Sequence, residues 1–176
     1  MAHLTPSVGP QDKAQGPATA PVTLVEYGDY ECPGCGMAYG LIKVVRDEMG
    51  DTLRFVFRNF PLTELHPHAE HAAEIAEEAA VAGRFWPMHD LLFENQDLLD
   101  DESLLVYGEQ LSLDRRRLLD ALGGSHSSCI REDFLSGVRS GVNGTPALFV
   151  NGQRYDGLLD LESLLAVLQR EALVGR

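Results

Sequence analysis

The sequence predicts an α/β protein in the order strand, helix, strand, helical block, hairpin, helix. Three observations carry that prediction. Residues 22–27, Val-Thr-Leu-Val-Glu-Tyr, form an almost continuous apolar run, as a central strand covered on both faces does. Residues 53–58, Leu-Arg-Phe-Val-Phe-Arg, alternate with period two. Asn151-Gly152 separates Ala147-Leu148-Phe149-Val150 from Gln153-Arg154-Tyr155, and Asn-Gly is the strongest short hairpin signal.

Taken in order, residues 1–20 carry Pro6, Pro10, Pro17 and small polar residues, and read as a flexible arm or a short edge extension. After the first strand, a helix is expected from about Cys35 to Met49, with Leu41, Ile42, Val44 and Val45 on it and Gly50-Asp51 ending it. Strand, helix and strand this close in sequence make a βαβ unit with parallel strands. From 62 to 141 only helical signals follow. Ala69, Ala72, Ala73, Ala76, Ala79 and Ala80 make a small-residue face, and Glu70, Glu74, Glu77 and Glu78 are expected on the solvent side. Further helices are expected over 85–95, 102–111, 115–122 and 130–140. This block reads as an insertion into a core of residues 21–61 and 142–176. Asp160 can cap a last helix whose stripe is Leu161, Leu164, Leu165 and Leu168.

Chemistry concentrates at Cys32-Pro33-Gly34-Cys35, between the first strand and the first helix. Two cysteines three residues apart at a helix start share one face of its first turn. Their Cα atoms then fall within the roughly 4.4–6.8 Å that a disulfide needs. The free N–H groups and positive dipole end of the helix favour the Cys32 thiolate, and Pro33 suits the first helical position. The same motif is half of a zinc site, but Cys129 is the only other thiol and no second Cys or His pair has ligand spacing. Redox chemistry is the reading adopted. Glu26, six residues before Cys32, stands either in water near a strand end or buried. If buried without a partner it has a raised pKa and can relay a proton to or from Cys35.

At 176 residues, 44% hydrophobic and 23% charged, the chain is one ordinary globular domain carrying an insertion. A net charge of −13 disfavours nucleic acid or an anionic membrane as the main partner. No apolar run reaches membrane-spanning length, and residues 1–20 lack the basic and apolar regions of a secretory signal. A cytoplasmic protein is therefore expected, with export possible if a leader has been removed. Three cysteines do not make a structural disulfide framework.

The element order, the stretch Val22 to Cys35 and the stretch Gly141 to Gly152, with Thr145-Pro146 before the hairpin, resemble the thioredoxin fold. The helical block between the second and third strands makes the chain similar to the DsbA-like thiol–disulfide oxidoreductases, over roughly residues 16–170. That resemblance implies that Cys32 is the exposed nucleophile and Cys35 the resolving thiol. It implies a cis peptide before Pro146, packed against the cysteine pair, and a backbone at Thr145 that pairs with an extended substrate. It places Glu26 where the family has a buried acid. Pro33, Gly34 and Tyr30 join Thr145 as expected substrate-contacting residues, with Tyr30 and Met37 forming an apolar rim. The implied partners are proteins with thiols or disulfides and a redox partner such as glutathione or a thioredoxin-type system. No cofactor beyond the Cys32–Cys35 disulfide is implied. Strongly oxidising members carry histidine where this chain has Gly34. Without that cation, the thiolate is expected to be less stabilised and the potential a few tens of millivolts more reducing, which suits a reductase or isomerase.

Other residues keep two readings. His66, His68 and His71 lack helical zinc spacing and read as surface or capping residues, one of which can lie near the groove. Cys129 reads as a small hydrophobe or as a third redox thiol. Phe85, Trp86, Met88, Leu91, Leu92 and Phe93 read as core of the helical block, or in part as a substrate groove. Two alternative functions differ in kind: a glutathione-binding transferase or isomerase of the kappa type, and a zinc-binding redox-sensor module.

Overall fold

The computed structural model describes residues 2–175. Five strands, β1 (Lys13–Gln15), β2 (Val22–Gly28), β3 (Leu53–Asn59), β4 (Ala147–Val150) and β5 (Gln153–Tyr155), form one sheet in the order β1-β3-β2-β4-β5. Only β2 and β3 run parallel; every other neighbouring pair is antiparallel. Between β2 and β3 lies α1 (Pro33–Met49), followed by a 3₁₀ turn at Gly50–Thr52. The insertion is five helices, α2 (Ala69–Val81), α3 (Phe85–Glu94), α4 (Asp101–Gln110), α5 (Arg115–Leu122) and α6 (Ser127–Arg139), and α7 (Leu161–Val174) closes the chain.

The central strand is β2, and its register fixes where chemistry can occur. Glu26 pairs with Phe57 of β3 on one side and Leu148 of β4 on the other, so it lies mid-sheet. Two cores flank the sheet. Leu24, Phe55, Leu148 and Val150 join Cys35, Ala38, Ile42 and Val45 of α1, Leu164 and Leu168 of α7, and the helical block. Val25, Tyr27, Val56, Phe60 and Phe149 form the other, closed by Phe134 of α6 and by Leu4 and Val8. Each fully buried Leu or Phe contributes about 1.5–3 kcal/mol. The Asn-Gly hairpin works through φ of 48° at Asn151 and 82° at Gly152, the two positive values a type I′ turn requires.

Residues 2–20 lie along the sheet as an edge extension. Leu4 N–H donates to Gly152 O and Arg154 N–H to Ala2 O at the β5 edge, and β1 pairs with β3 at the far edge. Between them, Arg58 explains the route. Its side chain points away from the α1 face and would be solvated, but Asp12 grips it through two hydrogen bonds of 2.7 and 3.0 Å, with Pro6 O, Ser7 O and Tyr27 Oη as further acceptors. The arm thus buries a strand arginine that period-two alternation had assigned to water.

Three expectations need correction. The first helix starts at Pro33, earlier than Cys35, with Cys32 as its N-cap. Glu74, Glu77 and Glu78 do not face solvent: all three are buried, because α2 is packed by α3, α5, α4 and α6. Leu161 and Leu165 lie outside the buried stripe of α7, which is Leu164, Leu168 and Ala172.

Candidate active site

The site is assembled where β2 ends and α1 begins. Asp29 carbonyl accepts from Cys32 N–H at 3.1 Å, and Asp29 N–H donates to Cys35 Sγ at 3.4 Å, so one residue braces both cysteines. Pro33 is the first residue of the helix, where its missing N–H costs nothing. Cys32 keeps 8% exposure while Cys35 has none. Thr145-Pro146 is cis and faces the motif: as a thiol, Cys32 Sγ donates to Thr145 O at 3.6 Å. A Cβ at Gly34 would stand 3.1 Å from Pro146 Cδ, so this position is read closely by the proline.

The electrostatics of the two thiols diverge. The Cys32 thiol is pulled down to about 5, first by the hydrogen bond from Cys35, against the opposing effect of burial, and then by the Thr145 side chain and the backbone N–H groups of Cys35 and Gly34. Cys35 is driven far up, because its proton is held in that same bond and because burial and the Glu26 charge oppose a second anion. Cys32 is the nucleophile-ready sulfur and Cys35 the proton-bearing one. With Gly34 between the cysteines, the stabilisation of the thiolate comes from the partner thiol and the helix N–H groups and not from a histidine.

Glu26 is buried at 1% exposure beneath α1, and its Oε1 has no hydrogen-bond partner. Burial first, then the Cys32 charge, pushes its carboxyl up to about 8. A small cavity of about 10 Å³ beside it is lined in part by Gln15, Ile42, Arg46 and His89. Of the expected substrate contacts, Pro33 is exposed and Gly34 and Thr145 are partly so. Tyr30 is not a rim residue. It is 1% exposed, packs on Phe57 and Phe93, and its hydroxyl meets His89 Nδ1 at 3.0 Å. Met37 remains at the surface, 74% exposed. Phe85, Met88, Leu92 and Phe93 are buried core, not groove.

One contributor was missed in sequence and another was left among three histidines. Gln96, between α3 and α4, sends its Nε2 to Tyr30 O at 2.8 Å and Cys32 O at 2.9 Å, pinning the cysteine corner from the insertion. The close approach needs glycine at 36, since a Cβ there would meet Gln96 Oε1 at well under contact distance. His66 Nδ1 lies 2.8 Å from Asp29 Oδ2. Nothing local identifies Gln96; the sequence allowed one of His66, His68 and His71 near the groove, and only the shared partner Asp29 singles out His66. The three histidines diverge, His71 going to Asp101, and among the described residues no three His, Cys, Asp or Glu side chains group to hold a metal. Cys129 is half-buried at the start of α6, its Sγ 3.1 Å from His126 O, with its thiol raised to about 12 by burial and then by Glu77.

Comparisons place this geometry. The chain matches the Thioredoxin_4 family, described as Thioredoxin, over residues 9–170. It is 45% identical over 164 residues to the Na(+)/H(+) antiporter NhaA 3 of Salinispora tropica, covering 90% of this chain and 24% of that protein. It is 40% identical over 168 residues to the Na(+)/H(+) antiporter NhaA of Herminiimonas arsenicoxydans, covering 94% and 27%. The chain thus spans about a quarter of the length of these curated relatives. Among solved structures, BdbD from Bacillus subtilis superposes with a TM-score of 0.82 at 23% identity, covering 92% of this chain and 93% of that one. DsbA2 from Pseudomonas aeruginosa gives 0.72 at 26% identity, covering 93% and 96%. Family match and fold agree: the chain belongs to the thioredoxin family, and its fold is the one shared by the DsbA-like structures.

Proposed function

We propose that this chain exchanges disulfides with protein thiols through Cys32 and Cys35, with a potential in the isomerase-to-reductase range. The observation that carries the reading is the asymmetry of the pair: a partly exposed sulfur ionised above pH of about 5 beside a buried thiol that keeps its proton. In the reducing direction, Cys32 thiolate attacks a substrate disulfide sulfur, forming a mixed disulfide and expelling one substrate thiolate. Cys35 then gives its proton to Glu26, attacks Cys32 Sγ and releases the second substrate thiolate. Oxidation of a substrate dithiol runs the same steps backwards. Glu26, with its carboxyl near 8, changes protonation in the pH range where Cys35 must be deprotonated. Thr145 and Pro146 present the substrate backbone, and Pro33 and Gly34 border it. The electrons reside in the cysteine pair, and no separate cofactor belongs to this reading.

A thiol near 5 lies between roughly 3.5 for DsbA and 7 for thioredoxin. The expected potential accordingly falls between about −120 and −270 mV, below that of the strong oxidant. Equilibration with glutathione buffers and counting of alkylated thiols measures it. A value at or above the DsbA figure contradicts the isomerase-to-reductase assignment, and failure to form the disulfide at any poise contradicts the function.

Among the described residues no helix is long and apolar enough to cross a membrane. The ion exchange in the relatives' names belongs to proteins about four times as long and is not carried over to this chain. A cytoplasmic setting with glutathione or a thioredoxin-type donor belongs to this reading; thiol trapping in intact cells is expected to find the pair largely reduced.

A further inference from the structure

Asp29 joins three things that the exchange reaction alone does not explain. Its main chain contacts both cysteines. Its fully buried carboxylate accepts from Glu31 N–H at 2.8 Å, from Leu62 N–H at 2.8 Å and from His66 Nδ1 at 2.8 Å. His66 sits in the connection between β3 and α2, its own N–H bonded to Leu62 O at 2.9 Å, with its side chain 19% exposed. A carboxylate only accepts, so Nδ1 carries a proton and Nε2 is the nitrogen that gains or loses one.

We propose that His66, clamped to Asp29 behind the cysteine corner, is a positioning residue whose protonated ring steadies the Cys32 thiolate and makes its reactivity pH-dependent near neutrality. Asp29 is in direct contact with the imidazole at 2.8 Å, and its main chain ties it to both cysteines; the charges of Asp29, Cys32 and Glu31 all favour the charged form of His66. Glu31 is itself fixed, accepting from His68 N–H at 2.7 Å. Burial opposes the imidazolium, yet the hydrogen bond and charge of Asp29, followed by Cys32 and Glu31, hold His66 above its ordinary value. The attraction is mutual: what the thiolate does for the imidazolium, the imidazolium does for the thiolate. The contribution is secondary to the Cys35 hydrogen bond, which dominates at Cys32. The sign follows directly. Cys32 is anionic above about 5, and His66 is cationic below a midpoint above 6.5, so the pair coexists between those limits and dissolves as pH rises further.

The test reads Cys32 alone, through thiolate absorbance across pH in the reduced protein. His66→Gln keeps a donor for Asp29 but no charge, and is expected to raise the Cys32 midpoint by about half a pH unit, roughly a threefold change in thiolate ratio. His66→Lys restores a charge and is expected to bring it back. Equal midpoints in wild type and His66→Gln, or equal shifts in Gln and Lys variants, overturn the proposal and leave a purely structural clamp. If the variants fail to fold, the reciprocal measurement stands on folded protein. The His66 imidazole, followed by NMR, is expected to titrate lower in Cys32→Ser than in wild type, and an unchanged midpoint overturns the proposal. The inference rests on Cys32 being the nucleophile. An inactive protein with a normal thiolate titration would count against the proposed function and not against His66.

Discussion

Two sets of buried acids share this small molecule and have opposite surroundings. Glu26 lies under α1 with one oxygen lacking any partner. Glu77, equally hidden, meets Lys13 Nζ at 2.6 Å and Asn59 Nδ2 at 2.9 Å where α2, α6 and the N-terminal extension converge. Asp133 completes that second group, accepting from Asn59 N–H at 2.9 Å and Nδ2 at 3.2 Å. Glu78 closes onto Arg117 and His126 nearby. The contrast teaches that burial does not separate a structural carboxylate from a chemical one; partnership does. Paired acids tie elements together, and Glu74 does so through one oxygen, accepting from His126 N–H, while its other oxygen is unpartnered; Glu26 has no hydrogen-bond partner among the described residues and lies beside the cysteine pair, where the chemistry needs a proton carrier.

The comparison breaks most readily at Glu77. Glu77→Ala strands Lys13, leaves Asn59 Nδ2 only its bond to Asp133, and is expected to lower unfolding free energy by about 3–5 kcal/mol in urea titration, while the exchange rate per folded molecule stays unchanged. A loss below about 1 kcal/mol would erase the distinction. Glu26 predicts the reverse pattern. Its carboxyl is raised from 4.5 to about 8 on folding, so the native state binds the extra proton. The destabilisation is absent below 4.5, grows as pH rises between those values, and reaches a few kcal/mol above about 8. Glu26→Gln is expected to flatten that slope in thermal melts across pH. The same variant should slow resolution of a trapped mixed disulfide by about 100-fold at neutral pH in quenched-flow, the usual scale for a lost proton acceptor. Smaller again, Gly34→Ala pushes a Cβ towards Pro146 and is expected to weaken peptide disulfide exchange a few-fold, at a stability cost near 1 kcal/mol. Cys129→Ser, remote from the pair in role, should leave the potential unmoved.

Much of the fold was legible because each element carries a local period or punctuation. The Asn-Gly turn, the alternation of 53–58 and the cap at Asp160 act through neighbours a few residues away. The cysteine pair and Glu26 were legible for the same reason: an acid inside an apolar strand and thiols at a helix start are anomalies visible in sequence. What failed depended on partners distant in the chain. The acid stripe of α2 marks a helix face, but that face meets Lys13 and His126, at separations of 64 and 48–52 residues, and those hydrogen-bonding partners made burial tolerable. Tyr30 seemed a rim residue until His89, 59 positions away, claimed its hydroxyl. Gln96 and His66 reach the cysteine corner only through the way the insertion folds back on it.

The division of labour between the two thiols is most directly tested by iodoacetamide modification of the reduced protein across pH, with each cysteine followed by mass spectrometry. The account predicts that Cys32 reacts with a half-maximal rate near pH 5, while Cys35 stays inert throughout the folded range. A midpoint of Cys32 near 8.5, the ordinary thiol value, or equal labelling of both cysteines, would contradict it.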